Sequence, residues 1–146
     1  MTGLHQAIFT EMAKDAALLN ILGLSDHNDK VEISKRIVPT PPLTLGDETP
    51  HLIHFRFPPT DLVHPLMERR SIQFRIWSVD SSLITQQQIS RRIQEIFLSR
   101  NITVNCDQYS EFFYVGEGDM PGMAFQRFGW FLELSIDTKV QVDQIN

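Results

Sequence analysis

The chain of 146 residues is short of several things, and each shortage closes a class of function. Cys106 is its single cysteine, so no disulfide can form within the chain and no thiolate metal cluster can be built. No apolar run reaches membrane-spanning length. Met1 to Leu22 interrupts its apolar pattern with Glu11, Lys14 and Asp15, which a signal peptide would not do. Positive charge is also scarce: the net charge is −5. It is unevenly spread: −2 over residues 1–60, +2 over 61–105 and −5 over 106–146. A protein that reads nucleic-acid sequence needs a basic face to neutralise phosphates, and this balance argues against one. Internal repeats and low-complexity tracts are missing too, and no composition break marks a second domain.

What remains is globular composition, 42% hydrophobic and 10% aromatic, in a chain long enough for one domain with a real core. The most regular stretch is 71–100, a strand followed by a helix. Ile72, Phe74 and Ile76 alternate with Gln73, Arg75 and Trp77, the period of a half-buried strand. After the Asp80-Ser81-Ser82 turn the period changes. Ile89, Ile93, Ile96 and Phe97 then make one helical stripe. Thr85 with Gln88 fits a capping box, Ser81 or Ser82 could equally cap, and Asn101 suits a left-handed C-cap.

Other elements are added to this unit. Residues 1–22 read as one amphipathic helix through Leu4, Ile8, Met12, Ala16, Leu19 and Leu22, stopped by Gly23 and Leu24. Val31, Ile33, Lys35 and Ile37 alternate as an extended segment. Residues 39–50, opened by Pro39-Thr40-Pro41-Pro42, read as a stiff exposed loop. Ile53, Phe55 and Phe57 face inward from a strand over His51–Phe57, and 61–70 is a connection. Strands follow at Ile102–Cys106 and Glu111–Val115, then a glycine-bearing loop or hairpin connection at 116–123. A long strand places Phe128, Trp130, Leu132, Leu134 and Ile136 on one face, and 137–146 is a tail. The expected fold is α+β, sandwich-like: one mostly antiparallel or mixed sheet carrying an N-terminal and a central helix.

Sites of chemistry are hard to find. His51 and His54, three apart on a strand, point to opposite faces and make a poor metal pair. Asp26-His27-Asn28-Asp29 lacks calcium-loop spacing, and Cys106 reads as a small buried residue. Gly116-x-Gly118 lacks the lysine and helix of a phosphate loop, and Glu117 and Asp119 would repel phosphate. No nucleophile elbow, zinc-protease signature or specific carboxylate pair occurs. The expectation is a protein that is no enzyme and takes no cofactor or metal.

Surface-forming residues are more informative. Phe112, Phe113 and Tyr114 are consecutive on a strand and cannot all face one core. Trp77 opposes Ile76, and Phe131 opposes Trp130. Either helices cover both sheet faces, or some of these aromatics meet another subunit, where aromatics are enriched. Arg91 and Arg92 lie on the polar side of the central helix, as a solvated face or a contact surface. Met120 and Met123, in or next to the glycine-bearing stretch, could dock on a neighbour.

The order of these elements resembles that of the tail terminator, or tail completion, proteins of long-tailed bacteriophages. Five pieces carry the likeness: the helix ending Ala17-Leu18-Leu19, Arg36-Ile37-Val38-Pro39 leading into the proline-rich loop, and Pro50-His51-Leu52-Ile53-His54-Phe55. The others are Phe74-Arg75-Ile76-Trp77-Ser78 feeding a helix, and the strand from Arg127 to Ile136. The resemblance implies a virion structural protein forming a homo-hexameric ring at the head-proximal end of the tail. Its partners would be further copies of itself, the major tail tube protein, and a neck or head-completion protein. DNA would pass through unread, and no membrane is involved. Candidate contact residues on this reading are Pro41, Pro42, Trp77, Arg91, Arg92, Phe112, Phe113, Tyr114, Met120, Met123 and Phe131. The alternatives are a head–tail joining or stopper protein, and a small monomeric α/β binding domain.

Overall fold

A computed structural model of the chain describes residues 3–24, 30–38, 51–56, 61–64, 67–98, 101–104, 108–124 and 127–139. The Pro39–Pro50 stretch, Cys106, the Asp26–Asp29 cluster and Phe57 lie outside them. Among the described residues four helices and seven strands follow in chain order: α1 Gly3–Ala13, α2 Ala16–Ile21, α3 Lys30–Arg36, β1 Ile37–Val38, β2 His51–Arg56 and β3 Asp61–His64. Then come β4 Met67–Ser78, α4 Ile84–Phe97, β5 Asn101–Val104, β6 Gln108–Ala124 and β7 Arg127–Lys139.

The strands form one sheet in the order β1-β2-β4-β7-β6-β5, with β3 paired to the start of β4. Only β1–β2 is parallel, so the sheet is mixed and mostly antiparallel, as the α+β reading expects. Register follows the apolar alternation. Ile53 faces Ile76, Phe55 faces Phe74, Leu132 faces Phe74, Leu134 faces Ile72, and Ile136 faces Phe112. All of these are buried. A one-residue slip would turn each outward, which is why the pattern fixes the pairing.

Against this face α4 lays Ile89, Ile93, Ile96 and Phe97, the stripe expected from the sequence, all buried. Four phenyl rings run through the core in succession. Phe55 lies 6.3 Å from Phe74, Phe74 stacks 6.1 Å from Phe97, and Phe97 lies 5.0 Å from Phe112. The turn before α4 is built differently from expectation. Leu83 is the N-cap residue, left-handed at φ 66, and provides no side-chain cap. Asp80 replaces it: Oδ2 accepts from the Thr85 amide and hydroxyl at 3.0 Å, and Oδ1 from the Ser82 amide at 2.9 Å. The Ser82 hydroxyl and these amides hold the Asp80 carboxyl far below the ordinary carboxylate range. Asn101 does not cap α4 but opens β5, opposite Glu111.

The first helix is also two helices. Asp15 leaves helical geometry at φ −84, ψ 105, and its Oδ2 accepts from the Leu18 amide at 2.9 Å, starting α2. A side chain that hydrogen-bonds the backbone ahead of it competes with continuing the helix behind it. Ala16 is thereby exposed, while Ile8, Met12, Leu18, Leu19 and Leu22 are buried. Gly23 does stop the helix, at φ +85, with the Leu24 amide bonding back to Leu19 O at 2.8 Å.

The 31–38 segment is helical up to Arg36 instead of extended. Its alternation hid a second spacing: Ile33 and Ile37 are four apart, and both are buried. Glu32 pairs with Lys35 and Arg36 across helical turns, and Arg36 Nη1 donates to Leu22 O at 3.1 Å. Within 61–70, expected as a connection, the described residues are strand, β3 Asp61–His64 paired antiparallel with the start of β4, and residues 137–139 continue β7 instead of beginning a tail.

The largest departure is at 116–123, which is no loop. β6 runs unbroken over 17 residues beside β7, with register shifts between Tyr114 and Gly116 and between Met120 and Met123. Of its glycines, Gly118 pairs with Phe131, whose ring would make ordinary contact with an added Cβ at 3.9 Å, and Gly116 has open space beside it.

Candidate assembly surface

Helices pack on one sheet face, so the register decides what the other face carries. Opposite the buried stripe lie Leu52 and His54 of β2, Arg75 and Trp77 of β4, and Gly129, Phe131 and Glu133 of β7. Phe113, Gly118 and Met120 of β6 extend the same face. Trp77 and Met120 both lean over Gly129: a Cβ built there would sit 2.6 Å from each side chain. No larger residue fits under them.

Next to Trp77, its indole Nε1 donates to His54 Nδ1 at 3.4 Å, and His54 is only 3% exposed. Burial, with the Arg75 cation nearby, pushes the His54 ring down to about 4. The folded chain therefore holds this ring neutral where an unfolded chain, with a histidine near 6.5, binds a proton. Between those values the unfolded state takes up more protons, so stability rises with pH. The contribution is complete above about pH 6.5 and is lost as pH falls toward 4. The unfolding free energies from urea denaturation at pH 7.5 and 5 are expected to differ by on the order of 2 kcal/mol through His54. His54→Gln is expected to remove that share and leave the smaller part that His5 and His51, also lowered by burial, contribute.

The sequence-derived contact residues separate into distinct environments. Phe112 belongs to the core, stacked on Phe97. Trp77 is 8% exposed and held over Gly129, while Met120 is half-buried beside it. Arg92 is engaged within the chain: its Nε and Nη2 donate to Asp15 at 2.8 and 2.7 Å, and Nη1 to Glu95 at 2.7 Å. Arg91 is exposed on α4, lining a polar recess with Gln87, Gln94, Glu117 and Trp130. Met123 is placed only by its backbone, opposite Phe128, and Pro41 and Pro42 lie outside the described residues.

Phe113, Tyr114 and Phe131 stay at the surface, at 43%, 49% and 36% exposure. Val115, which the sequence reading passed over, joins them at 52%. It occupies the irregular position between Tyr114 and Gly116, where two residues of β6 meet one of β7. From Phe113 to Pro121 every residue of β6 is exposed or half-exposed, and from Phe112 on β6 pairs only with β7 among the described strands.

Glu117 anchors this outer strand to α4. Its carboxylate accepts from Ser90 Oγ at 2.6 Å, Trp130 Nε1 at 3.0 Å, and Gln94 and Tyr114 at 3.3 Å. Burial raises the Glu117 carboxyl, but these four donors outweigh it and leave the group below its ordinary range. Ser90, polar and fully buried in the apolar stripe, is explained by this bond.

Among the described residues no helix is long and apolar enough to cross a membrane, and no three His, Cys, Asp or Glu side chains gather as for a metal ion. The arrangement defines an α+β domain with helices on one sheet face and a long, exposed outer strand. No protein-family profile and no curated protein match this sequence. Among solved structures, the fold is similar to that of a chain in the virion of a native gene transfer agent (GTA) particle. The TM-score is 0.68 at 9% identity, covering 93% of this chain and 94% of that one. At that identity the likeness is one of fold.

Proposed function

We propose that the protein is a virion structural component that closes the head-proximal end of a phage-type tail tube. Six copies form the ring, stop tube polymerisation and present a surface to the neck. The observation that carries this reading is the fold shared over nearly the whole of both chains with a virion protein. The element order and punctuation that resemble the tail terminators point the same way. A chain of net charge −5 suits a channel that lets DNA pass, since a strongly basic lumen would retain phosphates. The role has no catalytic residue. Its partners are further copies, the tube protein and a neck protein, and its place is the virion, after assembly in the host cytoplasm.

The contacts of such a ring are heterologous, one surface meeting a different one on the next copy, and rotation closes them. Of the candidates, Phe113, Tyr114 and Phe131 present exposed rings on the monomer, Tyr114 with its hydroxyl held by Glu117. Phe113→Asp and Phe131→Asp are each expected to prevent ring formation, read by mass photometry, while leaving circular dichroism unchanged. A variant that still forms rings removes its position from the interface. One that loses its helical and strand signal assigns the side chain to the fold instead.

A further inference from the structure

We infer that the exposed Phe113-Tyr114-Val115 segment of one copy seats in the groove between α1 and α3 of a second copy. This contact rests on the ring reading above and names the two surfaces that build it.

The first surface is the segment itself. It is the only run of three consecutive large exposed apolar residues among the described residues. Such runs mark contact sites more often than free surface. The strand around it is acidic: β6 carries Glu111, Glu117 and Asp119 and no Lys or Arg. Glu117 is already engaged by α4, which leaves Glu111 and Asp119 exposed on either side of the apolar run.

The second surface is a groove of about 540 Å³ with Phe9, Ala13 and Ile33 among its lining residues and Lys14 and Lys30 beside them. That volume is within the roughly 300–1,000 Å³ of sites that hold drug-sized groups, enough for an aromatic side chain; Phe113 and Tyr114 point to opposite faces of β6, so one of the two enters the groove and the other stays at its rim. Its walls, residues 6–14 and 30–36, carry Lys14, Lys30, Lys35 and Arg36 against Glu11, which pairs with Lys14 at 3.0 Å, and Glu32, which pairs with Lys35 and Arg36. The excess is positive, and it matches an apolar segment bordered by acids.

The same charges argue against the other way of using an exposed strand, pairing β6 with β6 about a two-fold axis. Centred on Val115, that antiparallel arrangement would set Glu111 of each copy against Asp119 of the other, and like charges directly opposite are destabilising. The contact is therefore between unlike surfaces, as a closed ring requires.

Charge exchange tests it. Glu111→Lys with Asp119→Lys, and separately Lys14→Glu with Lys30→Glu, place like charges across the contact. Each pair is expected to raise the concentration for half-assembly by at least about tenfold. The fourfold variant restores opposite charges and is expected to return to within about threefold of the wild type. All four sites are at the surface, so circular dichroism should report an unchanged fold. Two results overturn the contact while wild-type rings persist: pairs that assemble normally, or a fourfold variant no better than either pair. Wild-type chains that remain single, both alone and on tail tubes, overturn the ring reading and this contact with it.

Discussion

Phe74→Ala is expected to cost about 3–5 kcal/mol of folding stability, the range for removing a buried phenyl ring. Phe74 is fully buried at the middle of β4 and has a ring on each side, Phe55 at 6.3 Å and Phe97 at 6.1 Å. Its strand partners Phe55 and Leu132 are tied to its own backbone register. Neither can swing into the space without leaving its own place, so the cavity stays open and the lost contacts are not recovered. For a chain of this length the loss corresponds to a fall in Tm of roughly 10 °C or more. Phe74→Leu keeps most of the volume and is expected to cost about 1.5 kcal/mol or less. Urea unfolding of the two variants measures the difference. Similar losses for both would mean that Phe74 is not the centre of the stack.

Asp15→Ala comes next, at about 2–4 kcal/mol, because one carboxylate does two jobs. It caps α2 through the Leu18 amide, worth about 0.5–2 kcal/mol. It also accepts two charge-assisted bonds from Arg92, which ties the N-terminal helices to α4. The pair is mostly shielded, with side-chain exposures of 14% for Asp15 and 29% for Arg92, so it is not an ordinary surface ion pair. The hydrogen bonds to Asp15, then those to Glu95, raise the Arg92 guanidinium above its usual range. Arg92→Lys cannot reproduce the two-pronged geometry and is expected to lose most of the tie. Asp15→Asn retains an acceptor for the cap and loses the charge, separating the two roles. In a double-mutant cycle Asp15→Ala and Arg92→Ala should couple by about 1 kcal/mol or more. Strictly additive losses would mean the bridge contributes nothing.

The parts of the fold that sequence made legible are those where one period dominates. The Ser71–Val79 alternation and the Ile89-Ile93-Ile96-Phe97 stripe each admit a single reading, and both core faces follow from them. Where two periods overlapped, tertiary contacts decided. Ile33 and Ile37 satisfy both a strand and a helix, and the Glu32–Lys35 and Glu32–Arg36 pairs with the Arg36–Leu22 bond belong to the helix. Asp80 was passed over as a cap because it reaches Thr85 across five residues, outside the spacing of a capping box. The stretch at 116–122 has glycines, acids and a proline, the composition of a turn. It is strand because β7 supplies a long partner that pairs with it from Gly116 to Ala124. The candidate surface was legible in kind only. Three consecutive aromatics announce that one must face away from the core, but only the pairing of Phe112 with Ile136 says which one is buried.

Tail length tests the central claim most directly. Tails assembled with and without this protein are compared by negative-stain electron microscopy. The account predicts over-long or unclosed tubes in its absence and normal lengths when it is restored. Tubes of normal length without it would contradict a terminator role. If those tubes also failed to join heads, the protein would belong to the neck instead.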